Sequence, residues 1–399
     1  MRVTVAASAR APSSARSLPR VEAIARRLKI LYKYLLWRFS IRPITENKYS
    51  TVEMNKYTPI TLIGFGITGQ LLLSYILDDI PGNKITVIDP DFIGGDFVRQ
   101  PYGSIKSNTT ISQMTNKMSD NWSKTVAALK SRGELTDTVR LSDIGNDMKI
   151  VGLALAAKCV TVYDKVVKII WNNDKKRWTL ELESGTVRET SMVCLCSGMI
   201  SRQEDYCIPT IPLPIALDET SLMRIVNPGQ RVIVIGSSHS ATLVLKNLKA
   251  ISDVAVACFY RGDKPFRFAR DGAYDGIKQE SAEIADSILS GEYPMLTLIN
   301  TSNLKEVCAH ARSADWIIQA TGFKSAMPMI VSDNAIIEPL WDSKTGLCTN
   351  LSQLQAFGAC VPDTTTIDEK EYADISISSF IDQLLIRWPV LKGNIQNLL

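Results

Sequence analysis

Gly64, Gly66 and Gly69 stand in the order G-x-G-x-x-G directly after the apolar run Ile60–Ile63, and the next apolar run, Lys84–Ile88, closes on Asp89. Glycines at this spacing permit a tight turn, a close approach of backbone to a pyrophosphate and close helix–strand packing, with the anion on the helix N-terminus. A carboxylate at the end of the second strand accepts hydrogen bonds from a free ribose diol. The pattern returns further along. Arg231–Ile235 runs into Gly236-Ser237-Ser238-His239-Ser240-Ala241, and Val254–Phe259 runs into Tyr260-Arg261. The residue 25 positions after the first glycine is Asp89 in one case and Arg261 in the other. An arginine at that place suits a 2′-phosphate. The chemistry expected is FAD over Gly64, Gly66, Gly69 and Asp89, and NADPH over Gly236, Ser237, Ser238, Ser240 and Arg261.

The two signatures differ in specificity. The first has its strand, its helix-compatible run Gln70–Leu77 and its acid at the distances a βαβ unit needs. The second is degenerate, with Ser238 at the middle glycine and Ala241 at the third. A side chain at Ser238 stands where a pyrophosphate must come close, so a weakened or vacant site is the competing reading.

Composition narrows the class. A chain of 399 residues suits two or three domains. Its net charge of +4 hides a basic first 42 residues with Glu22 as their single acid, which leaves the remainder slightly acidic. A general nucleic-acid surface is therefore not expected, and no apolar run reaches the roughly 18 residues of a membrane span. The 8 cysteines form neither C-x-x-C nor C-x4-C, so no metal site and no redox dithiol is expected. His239 and His310 are the two histidines of the whole chain, a poverty that fits chemistry carried by a cofactor.

The layout resembles the two-dinucleotide-binding-domain flavoproteins, which include the pyridine nucleotide-disulfide oxidoreductases, and within them the flavin-containing monooxygenase-like branch. The resemblance covers most of Ile60–Trp388. It implies an α/β fold of two Rossmann-like dinucleotide-binding domains, the NAD(P)-binding domain inserted into a discontinuous FAD-binding domain. The implied division is residues 54–207 and 326–399 for the FAD-binding domain and 208–325 for the NAD(P)-binding domain. It also implies that the paired glycines Gly94 and Gly95 contact FAD, and that Thr321-Gly322 belongs to the A-T-G-Y/F strand end at Ala320–Phe323. Asn108, in Pro101–Asn108, matches the asparagine that touches NADP and protects the oxygen-reactive flavin in the monooxygenases. Asn108 is also a good N-cap for a helix running through Met114, and both readings stand. Three features depart from the branch. The F-x-G-x-x-x-H fingerprint is missing from Pro212–Gly229, Phe97 replaces a tryptophan, and Asp363 is displaced from the acid expected near the flavin.

The expected activity is an FAD- and NADPH-dependent oxidoreductase, with oxygenation of a small molecule by O2 as the leading form. An NAD(P)H:acceptor reductase and a non-catalytic nucleotide-binding protein are the alternatives. Residues 1–53 form a basic extension rich in Arg, Ala and Ser. It reads as a mitochondrial transit peptide, a membrane-touching amphipathic helix at Ile24–Phe39, or a non-functional extension of a cytoplasmic protein.

Overall fold

The computed structural model describes residues 57–398 other than 100, 267–276, 278, 368 and 369. The readings of the N-terminal extension lie outside these residues.

Two sheets organise the chain, and the parallel part of the first is built like the second. The first unit runs through β1 (Tyr57–Ile63), α1 (Ile67–Asp79) and β2 (Ile85–Asp89). After α2 (Ile111–Thr115), α3 (Ser123–Lys130) and α4 (Leu141–Ala156) it continues to β3 (Val160–Tyr163). A hairpin of β4 (Val166–Asn172) and β5 (Arg177–Leu182) then leads to β6 (Val187–Leu195). β1 lies between β2 and β6, parallel to both, and β3 lies parallel beyond β2. The expected hairpin spanned Cys159–Ile170 and Trp178–Leu182. Its first part instead divides at Asp164-Lys165, giving β3 to the parallel ladder and β4 to the antiparallel one.

The second sheet contains β8 (Thr210–Ile211), β9 (Arg231–Ile235), β10 (Ala255–Tyr260), β11 (Leu296–Asn300) and β12 (Trp316–Gln319) in the order β11-β10-β9-β12-β8, all parallel. The linker expected over Ile208–Ile215 supplies β8. Helices α5 (His239–Lys249) and α6 (Glu280–Leu289) pack together, and α7 (Leu304–Ser313) connects β11 to β12.

The chain then returns to the first sheet. β14 (Met329–Ser332) pairs with β4, and β16 (Leu354–Ala356) pairs parallel with Val193–Leu195 of β6. The order β3-β2-β1-β6-β16 therefore copies β11-β10-β9-β12-β8 strand for strand. In a parallel sheet the crevice for a ligand opens where the strand order reverses, beyond the carboxyl ends of the strands. Here those points are β1/β6 and β9/β12.

Where the chain leaves the first sheet and comes back, β7 (Met199–Ser201) and β13 (Phe323–Ser325) pair antiparallel. The buried Gln319 side chain ties the same crossing, accepting from Glu204 N at 2.8 Å and donating to Glu204 O at 2.7 Å. The last helix, α8 (Ile377–Gln396), is longer than the amphipathic segment expected over Phe380–Trp388. It buries Arg387 completely. That guanidinium donates to Ala356 O at 2.7 Å, Ser343 O at 2.9 Å and Asp363 Oδ1 at 2.7 Å, so the C-terminal segments are held as one block. Asp363 is thereby committed to an ion pair with the buried Arg387. Core packing under α1 is dense: Phe65, Leu72, Ile76, Trp122 and Leu384 are fully buried, each large apolar side chain contributing roughly 1.5–3 kcal/mol.

Candidate functional site

The first turn uses its three glycines for different reasons. Gly64 has φ +98°, and a Cβ there would lie 2.5 Å from Cys196 O at the end of β6. Gly69 lies in the first turn of α1, where a Cβ would meet Gly64 O at 2.2 Å. Both are demanded by the protein itself. Gly66 is not. Its φ of −70° suits any residue, and the nearest neighbour of a Cβ would be Gly95 Cα at 3.9 Å. What the missing side chain at Gly66 leaves bare is the backbone at the start of α1, which has no side-chain cap. A surface stripped in this way fits a pyrophosphate, whose oxygens take the unpartnered N–H groups of the first helical turn.

Asp89 stands at the end of β2 beside this turn and is 8% exposed. Its Oδ2 accepts from Phe65 N at 2.7 Å, and its Oδ1 accepts from Phe92 N at 2.8 Å and Asp91 N at 3.1 Å. Burial pushes the carboxyl above the usual carboxylate range, while the three backbone N–H groups pull against that. The acid thus holds the turn as well as lying where a ribose would be held. Two carboxylate oxygens offer about four lone-pair sites, so one remains for a ribose hydroxyl. Phe92, at φ +51°, packs between Phe65 and Tyr163 with ring centroids 5.1 and 4.5 Å away, an aromatic wall beside the acid that the sequence does not announce.

Gly94 and Gly95 are brought to the same turn. Both have positive φ, and a Cβ on Gly95 would lie 2.9 Å from Gly66 Cα. From the returning chain, Gly358 comes to the start of α1, where a Cβ would sit 2.3 Å from Thr68 Oγ1. That approach was hidden in the sequence, since Phe357-Gly358 carries no spacing relative to Thr68.

The second turn repeats the joint. Gly236 has φ +114°, and a Cβ there would meet Ala320 O at 2.3 Å, the counterpart of Gly64 against Cys196 O. Gly64 N donates to Ile88 O and Cys196 N to Ile63 O; Gly236 N donates to Phe259 O and Ala320 N to Ile235 O. Thr321 is exposed and Gly322 has φ +95°, so this strand end turns away beside Gly236. Ser237 and Ser240 are half-buried. Ser238 is exposed, N-caps α5 and makes no side-chain cap bond, so its hydroxyl is uncommitted there. Ala241, fully buried, puts a methyl where the first unit has none. The turn fits a phosphate through hydroxyls as well as backbone.

The bond pattern corrects one expectation. Ile88 O and Phe259 O play the same part, so Asp89 corresponds to Tyr260, 24 positions after Gly236. Arg261 is one residue beyond the acid's place, because this crossover is one residue shorter. Its side chain is exposed.

Asn108 is half-buried and makes no hydrogen bond among the described residues. It does not cap α2. Thr110 does, in a capping box with Gln113 at 3.3 Å from Gln113 N to Thr110 Oγ1 and 2.9 Å from Thr110 N to Gln113 Oε1. The neighbouring Ile105–Ser107 lies across a narrow space from His239 and Leu243, so the Asn108 segment borders the first turns of α5. A cavity of about 330 Å3 between α7 and β9–β11 contains none of the candidate residues. It is a packing gap left where Ala255 and Ala257 face Ala309, Ser313 and Ala314.

Solved structures share this architecture. A flavin-containing monooxygenase from Stenotrophomonas maltophilia superposes with a TM-score of 0.55 at 12% identity, over 86% of this chain and 98% of the other. The bacillithiol disulfide reductase of Staphylococcus aureus gives 0.55 at 11% identity, over 85% and 99%. Cyclohexanone monooxygenase from Rhodococcus sp. Phi1, solved with NADP+, gives 0.54 at 13% identity, over 85% of each chain. The fold is that of the two-dinucleotide-binding-domain flavoproteins. By sequence the chain is 24% identical over 334 residues to Monooxygenase AgnR1 of Paecilomyces divaricatus, covering 71% of this chain and 84% of the other. No family model matches the chain. Among the described residues no helix is long and apolar enough to cross a membrane.

Proposed function

We propose that this flavoprotein is an FAD-dependent oxidoreductase reduced by NADPH, and that it oxygenates a small molecule with O2. The observation that carries the reading is the doubled joint: a glycine pressed against the carbonyl just past the end of the neighbouring strand at both switch points, with Asp89 beside one turn and Arg261 beside the other. Monooxygenase names among the sequence and structure relatives support the oxygenating form. On this reading residues 54–207 and 326–399 make the FAD-binding domain and residues 208–325 the NADPH-binding one, a division supported by the grouping of β1–β6, β14 and β16 in one sheet and of β8–β12 in the other.

Bound FAD supplies two-electron exchange with nicotinamide and the reaction with O2. The protein's own residues bind and orient. The bare backbone at Gly66 and the α1 N-terminus take the pyrophosphate, and Asp89 takes the ribose. Ser238 and Arg261 take the coenzyme's phosphates. Asn108 offers a carboxamide that donates and accepts at once, uncommitted among the described residues, at the border between the two nucleotide units. Its role is to hold the coenzyme edge and keep water from the reacting face.

The test is a visible spectrum of the purified protein, followed by anaerobic NADPH and then air with isotopically labelled O2. Bleaching by NADPH and labelled oxygen in an organic product are expected. A colourless protein that stays colourless with added FAD refutes the reading. Reoxidation far faster by an artificial acceptor than by O2, with no labelled product, turns it into a reductase.

A further inference from the structure

The selectivity of the second turn depends on how Arg261 is held, since Tyr260 occupies the place of the acid and carries no charge to accept or refuse a 2′-phosphate. Arg261 and Gly262 leave the sheet at the end of β10. Gly262 has φ +85°, and among the described residues nothing lies within 4 Å of the position of a Cβ there. Two hydrogen bonds from the end of β11 hold the turn. Thr301 N donates to Tyr260 O at 2.9 Å, and Asn300 Nδ2 donates to Gly262 O at 2.7 Å. Arg261 stands between the two pinned carbonyls.

The orientation of the Asn300 carboxamide is settled by its other end. Its Oδ1 accepts from Ser302 N at 2.9 Å and from Ser302 Oγ at 2.7 Å. With the oxygen engaged by two donors, the nitrogen is the group that faces Gly262. Asn300 is thus a strut from the end of β11 to this turn, beside the bond from Thr301 N to Tyr260 O.

We infer that Asn300 is a positioning residue for coenzyme selectivity, fixing the backbone on which Arg261 meets the 2′-phosphate. The inference rests on the NADPH reading above. A long cationic side chain gripping a phosphate loses rotamer freedom, and a fixed backbone spares it the further cost of ordering the turn. Because Asn300 acts through Arg261, it bears on the coenzyme that has a 2′-phosphate and not on the one that lacks it.

The experiment compares NADPH and NADH kinetics, with FAD content, for wild type, Asn300→Ser, Arg261→Ala and the double variant. Asn300→Ser is expected to raise the KM for NADPH about five- to tenfold, the scale of one lost hydrogen bond, with the KM for NADH, kcat and FAD content near wild type. In the Arg261→Ala background it should add nothing, since the two changes share one interaction. Asn300→Asp keeps the acceptor for Ser302 and turns an oxygen toward Gly262 O, so a variant with this local turn intact should lose NADPH preference at least as far. Equal losses for both coenzymes, or an effect that persists at full size without Arg261, overturns the inference. A wild type that uses NADPH and NADH equally removes the reading on which it stands.

Discussion

Alanine at Gly66 and alanine at Gly64 differ by two positions and should fail in opposite ways. At Gly66 the φ of −70° is ordinary, and the nearest atom to a new Cβ lies 3.9 Å away, a normal contact. The apoprotein should tolerate the change, and the stiffer unfolded chain should even stabilise it by about 0.4–1 kcal/mol. The methyl would, however, stand where a pyrophosphate oxygen meets the backbone. Losing one charge-assisted bond of about 1.5–3 kcal/mol weakens FAD binding roughly ten- to 150-fold. At Gly64 the alanine meets φ +98° and Cys196 O at 2.5 Å. Backbone strain of about 1–3 kcal/mol and overpacking of about 1–3 kcal/mol together remove roughly 2–6 kcal/mol of stability with or without cofactor. The assays are urea unfolding of the apoproteins and titration of FAD followed by quenching of its fluorescence. If Gly66→Ala binds FAD within twofold of wild type, or unfolds as easily as Gly64→Ala, the division between fold-demanded and ligand-demanded glycines is wrong.

Three further outcomes follow from the site and its surroundings. Arg261→Ala should cost roughly ten- to a hundredfold in preference for NADPH over NADH, the scale of one charge-assisted phosphate contact, and competition kinetics with the two coenzymes read it directly. Asn108→Ala should leave FAD content and anaerobic reduction near wild type while raising the hydrogen peroxide released per NADPH oxidised, measured with a peroxidase-coupled assay; unchanged coupling would return Asn108 to a passive loop position. Burial pushes the thiols of Cys159 and Cys258 up to about 11 and about 12, and those of Cys194, Cys196, Cys348 and Cys360 upward too, whereas Cys207 and Cys308 are exposed. A thiol reagent at pH 8 should therefore modify these two promptly in the native protein and the other six after denaturation, since the thiolate is the reacting form.

Much of the first turn was legible in advance because its constraints are local. Strand, glycines and acid lie within one βαβ unit, where spacing translates directly into position. Arg261 stands one residue beyond the acid's place, because equal spacing from the first glycine presupposes crossovers of equal length and the second is shorter by one residue. Asn108 has the residue type of a helix cap, but Thr110 and Gln113, two and five residues on, close the capping box. Contacts that come from far along the chain left no local trace. Gly358 on Thr68, Cys196 O on Gly64 and Asn300 on Gly262 each join segments that only the sheet order brings together. The departures that sequence flagged remain instructive, for Asp363 turned out to be engaged by the buried Arg387 on α8.

The doubled joint separates what the scaffold requires from what the ligand requires, and the two turns have been treated differently on that account. Gly236 keeps the bare Cα that its neighbouring strand demands, while Ser238 fills the position, matching Gly66, that is bare in the first turn without the fold requiring it. Such a module is evolvable in a specific sense: its guest can be exchanged, weakened or lost by substitutions at the mouth, with the sheet beneath unaffected. Laboratory variation of coenzyme use in this protein should accordingly begin at Ser238, Tyr260 and Arg261 and leave Gly236 and Ala320 alone.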